Sequence, residues 1–249
     1  MKILTSGCSF THASNSWANQ LKLQGYDLTN VAEGGGGNEM NTRNIIQAMH
    51  TRCPDIAILQ ISGIQRYELV VDGKIKFDSD AVVPKEKYTW IKSTGDITWA
   101  EGINPAISKP ITNYMKYCYN LTHQVLRTLH CISNFQDICD ARGVVSKCFL
   151  WQKVFNTEIQ GIINNNEELK FWFQKINWDN FWFHKERLGL SEWGIDNGYT
   201  GDLNEDKINN PPQGWYINDL SGEKEMVGHP STKCHQMFAE KVAKKWFTA

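Results

Sequence analysis

Residues Asp55-Ile-Ala-Ile-Leu-Gln-Ile61, preceded by Pro54, put apolar side chains at almost every position. A strand with one wet face alternates apolar and polar residues, so an unbroken apolar run of this length reads as a strand covered on both faces. Covering both faces takes helices above and below the sheet. The preceding chain supplies matching elements: a short buried strand at 2–6, a short helix at 16–23 stopped by Gly25, a second strand at 26–32 and a helix at about 40–49. This alternation predicts a parallel sheet with helices on both sides, a three-layer α/β/α sandwich of about five strands.

The rest of the chain fits that frame with two excursions. Residues 69–77 read as a hairpin turning at Asp72-Gly73. From 112 to 142, Tyr114, Tyr117, Leu121, Val125, Leu129, Ile132 and Phe135 recur at three- and four-residue steps, which predicts one long helix with Gly143 as its stop. The next core strand is expected at 144–151. Five of the ten tryptophans (Trp172, Trp178, Trp182, Trp193 and Trp215) fall in 152–227, with many phenylalanines beside them. Large rings usually pack, so this stretch reads as an aromatic-rich helical insertion laid on the sheet; the competing reading is the wall of a substrate cleft. Residues 196–213, rich in Gly, Asn, Asp and Pro, read as loop. A last helix starts at Pro230, with Met237, Phe238, Val242 and Trp246 facing inward. The chain is expected to be one domain, 1–249, with insertions at about 68–110 and 152–227.

Composition narrows the class of function. A formal net charge of −1 leaves no footprint for nucleic acid, and the lysines at 241, 244 and 245 read as a solvated face. The apolar start is too short for a signal peptide and no stretch reaches membrane-spanning length, so a cytoplasmic protein without a membrane partner is expected. Seven cysteines, odd in number, irregularly spaced and without a C-x-x-C pair, read as free thiols.

Chemistry concentrates at the two ends. Gly7-Cys8-Ser9 follows the first strand, where a sharp turn would present the Ser9 hydroxyl at the carboxyl edge of the sheet, the edge at which open α/β sheets bind ligands. Serine needs a base to become a nucleophile. His229, fixed by Pro230 before the last helix, is the candidate; His12 and His235 are its rivals. The glycines at 34–37 permit close backbone approach. A glycine amide, with the Ser9 amide and the side chain of Asn38 or Gln65, would then hold an oxyanion. No Gly-Lys-Ser/Thr follows, so a phosphate loop is excluded, and a plain flexible turn is the bland alternative. Arg66 reads as a carboxylate binder or as half of a structural ion pair, the second being carried forward.

Gly7-Cys8-Ser9-Phe10-Thr11, Gly36-Gly37-Asn38, Gly63-x-Gln65 and His229-Pro230, in this order, resemble the GDSL/SGNH hydrolase family, most of all its small bacterial and phage-type members. The resemblance implies Ser9 as nucleophile, His229 as base, and Gly36 or Gly37 as oxyanion glycine. It implies a serine esterase acting on an O-acyl ester of a small molecule or carbohydrate, with no cofactor and no metal. The alternatives are an O-acyltransferase and a non-catalytic glycan-binding or virion-associated protein. Two positions depart from the pattern. Cys8 stands for the family's Asp. Met226 stands where the orienting acid is expected, leaving Glu225, Glu223 or Asp219 to supply it.

Overall fold

The structure, a computed structural model, describes residues 1–72, 88–93, 113, 117–199, 215–217, 224–226 and 229–247. Five strands form the central sheet: β1 (Lys2–Ser6), β2 (Asp27–Asn30), β3 (Ile56–Ile61), β6 (Val145–Leu150) and β7 (Phe181–Trp182), in the order β2-β1-β3-β6-β7. Every pairing is parallel, so all the carboxyl ends lie on one edge. The order reverses direction at β1, and Ser9 follows β1. The expected α/β/α sandwich is the fold.

The apolar run of β3 shows why the sequence takes this form. Ile56 and Ile58 enter a core with Ile3, Trp17, Leu21, Phe149 and Phe238, while Ala57, Leu59 and Ile61 enter another with Leu4, Ile45, Val125, Leu129 and Phe135. Successive strand side chains point to opposite faces, so a continuous run feeds two cores at once. Helices α2 (Trp17–Leu23) and α8 (Thr232–Lys241) close the first face; α3 (Asn38–Arg52) and α4 (Leu121–Ala141) close the second. Ser16 caps α2 through the Asn19 amide, and Asn120 caps α4 through the His123 amide. The helix predicted from 112 is interrupted: Asn113 and Tyr117 are helical, residues 118–120 are not, and the long helix runs from Leu121 to Ala141, just before Gly143 (φ 64°), the stop as read.

The expected hairpin over 69–77, with its turn at Asp72-Gly73, falls largely outside the described residues, which hold the strand β4 (Tyr67–Asp72). This strand pairs antiparallel with β5 (Tyr88–Ser93), Asp72 opposite Tyr88, and 73–87 lie outside the described residues. The aromatic stretch contributes helices α5 (Thr157–Asn164), α6 (Glu167–Lys175) and α7 (Leu190–Asp196), but also β7, the fifth strand of the sheet itself. Its rings pack: Trp178 sits 4.7 Å from Phe173, 4.8 Å from Phe181 and 5.7 Å from Phe155. A small antiparallel pair, β8 (Trp215–Ile217) with β9 (Lys224–Met226), stands shortly before His229. All seven cysteines are free. Among the described residues no helix is long and apolar enough to cross a membrane.

Candidate active site

Ser9 opens the one-turn helix α1 (Ser9–His12) directly behind β1. The turn is tight. A Cβ on Gly7 would come within 2.7 Å of Gln60 and Thr11, so glycine lets the chain pass between β1 and β3. His229 reaches the same edge from the far end of the chain, in the loop before α8. Its Nε2 lies 2.6 Å from Ser9 Oγ across 220 residues of sequence. That distance lets an imidazole nitrogen accept the hydroxyl proton. The Phe10 ring supports the imidazole, centroids 4.7 Å apart and planes 32° from parallel, and Trp151 backs Phe10 edge-on at 5.0 Å.

The rival histidines stand in other environments. His12 Nδ1 donates to the Ala32 carbonyl at 2.8 Å. His235 is buried, its Nδ1 has no hydrogen-bond partner, and burial together with the nearby His229 pushes its pKa down to about 3. Met226 ends β9, and Glu225 pairs with Tyr216 in the same ladder; Glu223 and Asp219 lie outside the described residues.

The glycine segment and Asn38 behave differently from each other. The Gly36 N–H donates to the Glu33 carbonyl at 3.1 Å, closing a turn in which Gly37, the first residue beyond it, is not a donor. A Cβ on Gly36 would sit 2.5 Å from Asn41 Oδ1. Asn38 departs from the expected oxyanion role. Its amide donates to the Ser62 carbonyl and to Thr128 Oγ1, each at 3.2 Å, while its oxygen accepts the Ser62 N–H at 2.7 Å. With both donors engaged and the side chain buried, Asn38 braces α3 against the end of β3 and α4. Gln65 is exposed, with its side chain folded over Gly63. Arg66 pairs with no carboxylate among the described residues, against the structural ion pair expected for it; its guanidinium lies over Trp151.

Gln60 escaped the sequence reading. It is the one polar residue within β3, fully buried, and its oxygen accepts from Thr11 Oγ1 at 2.8 Å while its amide donates to Cys8 Sγ at 3.2 Å. Thr11 Oγ1 in turn accepts from Trp17 Nε1 at 3.1 Å. This buried chain fixes the turn that carries Ser9, and a lone polar residue near the end of an apolar strand is the signal that marks it. Cys8 lies inside the same network. Burial works to raise its pKa, but the Arg66 charge, the Phe10 amide, Gln60 and Ser62 together bring the thiol below its ordinary value. Among the described residues no group of three or more His, Cys, Asp or Glu side chains gathers as metal ligands would.

No family model matches the chain, and no curated protein matches it. Solved structures do. The psychrotrophic esterase EstA from Pseudoalteromonas sp. is 9% identical, with 100% of this chain and 99% of that chain covered at a TM-score of 0.48. A GDSL-like lipase from Bacteroides thetaiotaomicron is 9% identical, covering 99% and 88% at 0.42. The acetyl xylan esterase AlAXEase is 11% identical, covering 98% and 99% at 0.41. Likeness at this level concerns the course of the chain and assigns no residue a role.

Proposed function

We propose that this protein is a serine ester hydrolase acting on an O-acyl ester of a small molecule or carbohydrate. The observation that carries this reading is the 2.6 Å contact between Ser9 Oγ and His229 Nε2. Ser9 Oγ attacks the ester carbonyl as His229 Nε2 takes its proton. The resulting oxyanion is held by the Ser9 N–H and by a glycine amide of the 36–37 segment, Gly37 being the one outside the turn. His229 returns the proton to the departing alcohol, and water then releases the acyl group from Ser9 by the same route.

The test is turnover of 4-nitrophenyl acetate with trapping by a fluorophosphonate. Wild type should turn over and acquire one adduct on Ser9. Ser9→Ala and His229→Ala should each lose about 10³-fold or more in kcat/KM. Equal rates in wild type and Ser9→Ala would remove the reading. A single burst without turnover would favour acyl transfer from the same serine.

A further inference from the structure

Among the described residues, Arg66 is a cation at this sheet edge with no acid paired to it. It follows the turn after β3, where its own N–H closes onto the Gly63 carbonyl at 3.2 Å. One guanidinium nitrogen makes a long contact, 3.4 Å, with the Gly36 carbonyl, and the group lies 5.4 Å from the Trp151 ring centroid. The nearby Arg127 is held quite differently. Glu39 grips it through both carboxylate oxygens, Nε to Oε1 at 2.7 Å and Nη2 to Oε2. Arg66 and Arg127 share the lining of a narrow, partly open crevice with Gly37, Asn38, Glu39 and Thr128. Glu39 neutralises Arg127 there, which leaves the charge of Arg66 unbalanced among the described residues.

Three contacts tie this cation to the reacting centre. Trp151, on which it rests, meets Phe10, and Phe10 supports His229. Gly36, whose carbonyl it touches, belongs to the segment offered above for the oxyanion. Its charge is also felt by Cys8, the residue before Ser9. A half-buried guanidinium without a counterion is unfavourable unless a ligand supplies one. The aromatic face lowers that penalty and holds the planar fork in place. A fork so held loses little freedom when it takes a carboxylate by two parallel N–H···O bonds.

We infer that Arg66 is the specificity residue of this site and that the preferred ester carries a carboxylate, on its acyl or its alcohol half, bound by the Arg66 guanidinium over Trp151. The inference rests on the ester-hydrolase reading and adds the charge of the substrate to it.

Two matched pairs of esters test it, each a neutral ester beside its carboxylate-bearing counterpart. For the acyl half the pair is 4-nitrophenyl acetate and mono-4-nitrophenyl succinate; for the alcohol half it is phenyl acetate and 4-acetoxybenzoate. Wild type should favour the anion in at least one pair by about tenfold in kcat/KM, mostly through KM, as a charge-assisted fork would give. Arg66→Gln should erase that preference, read as the ratio of kcat/KM within each pair, and Arg66→Lys should keep part of it. No preference in either pair, or a preference that survives Arg66→Gln, overturns the inference. Should Arg66→Gln fail to fold, Arg66→Lys decides: a preference undiminished by loss of the fork overturns it. If no ester shows Ser9-dependent turnover, the hydrolase reading falls by itself. The anion site is then judged by calorimetric titration of succinate into Ser9→Ala, where binding that Arg66→Gln abolishes supports it and absence of binding overturns it.

Discussion

His235 is a histidine held neutral. The α8 backbone puts its ring under Phe10, 6.5 Å between centroids, where burial and the His229 charge depress its pKa to about 3. The unfolded chain takes up that proton near pH 6.5 and the folded protein does not. The stability tied to this group is therefore complete above pH 6.5 and is lost as pH falls from about 6.5 towards 3. At pH 5 the loss should be about 2 kcal/mol. Urea unfolding at pH 7.5 and 5 measures it, and His235→Leu should flatten the difference between the two pH values. The residue scale also shows how far a sequence can be read. The settings of Ser9 and His229, a turn after a strand and a His-Pro before a helix, were legible because they are local signals. Asn38 was misread because a Gly-Gly-x-Asn setting does not reveal what the amide will meet. Its partners, Ser62 and Thr128, come from elements 24 and 90 residues away.

The chain entering helix α8 brings His229 beside Ser9, and the first turn of the helix is tied down there. Ser231 caps it, accepting the Cys234 amide at 3.0 Å and donating to the Tyr199 carbonyl. Thr232 accepts from Asn15 at 2.9 Å, which ties the helix start to the segment just after Ser9. Ser231→Ala removes the cap and strands the buried Cys234 N–H, so we expect a loss of about 1–2 kcal/mol. That corresponds to a melting point lower by about 2–8 °C for a chain of this size. Ester turnover should fall with it, since His229 is two residues from the cap, and Ser231→Thr should restore both. Calorimetry and steady-state kinetics on the same preparations check this. Element types were largely legible, because caps, glycine stops and apolar periods are set within a few residues. Element partners were not. β4 pairs with Tyr88–Ser93, a partner that no signal local to β4 announces.

Across the molecule, Phe238 joins segments remote in sequence. Its ring lies 6.0 Å from Trp17, 5.1 Å from Phe149, 5.0 Å from Trp182 and 5.7 Å from Trp193, bringing α2, β6, β7 and α7 against α8. Phe238→Ala opens a cavity where these meet and should destabilise the protein by about 3–5 kcal/mol. Denaturant unfolding followed by tryptophan fluorescence measures it; a change below about 1 kcal/mol would mean that the surrounding rings close the gap. At this scale the aromatic stretch also changes meaning. Read alone it was an insertion laid on a finished sheet; in the fold it supplies β7, the strand that finishes it. The sequence by itself determined the doubly covered parallel sheet, the turn that offers Ser9 and the helix that His229 precedes. Those follow from backbone periodicity and steric preference, which act over a few residues. Packing alone decided that Asn38 is a brace, that Arg66 has no acid beside it among the described residues, and that 2.6 Å separates a serine and a histidine from opposite ends of the chain. Such contacts depend on how separate elements pack, and packing is settled by the shapes of all the side chains together.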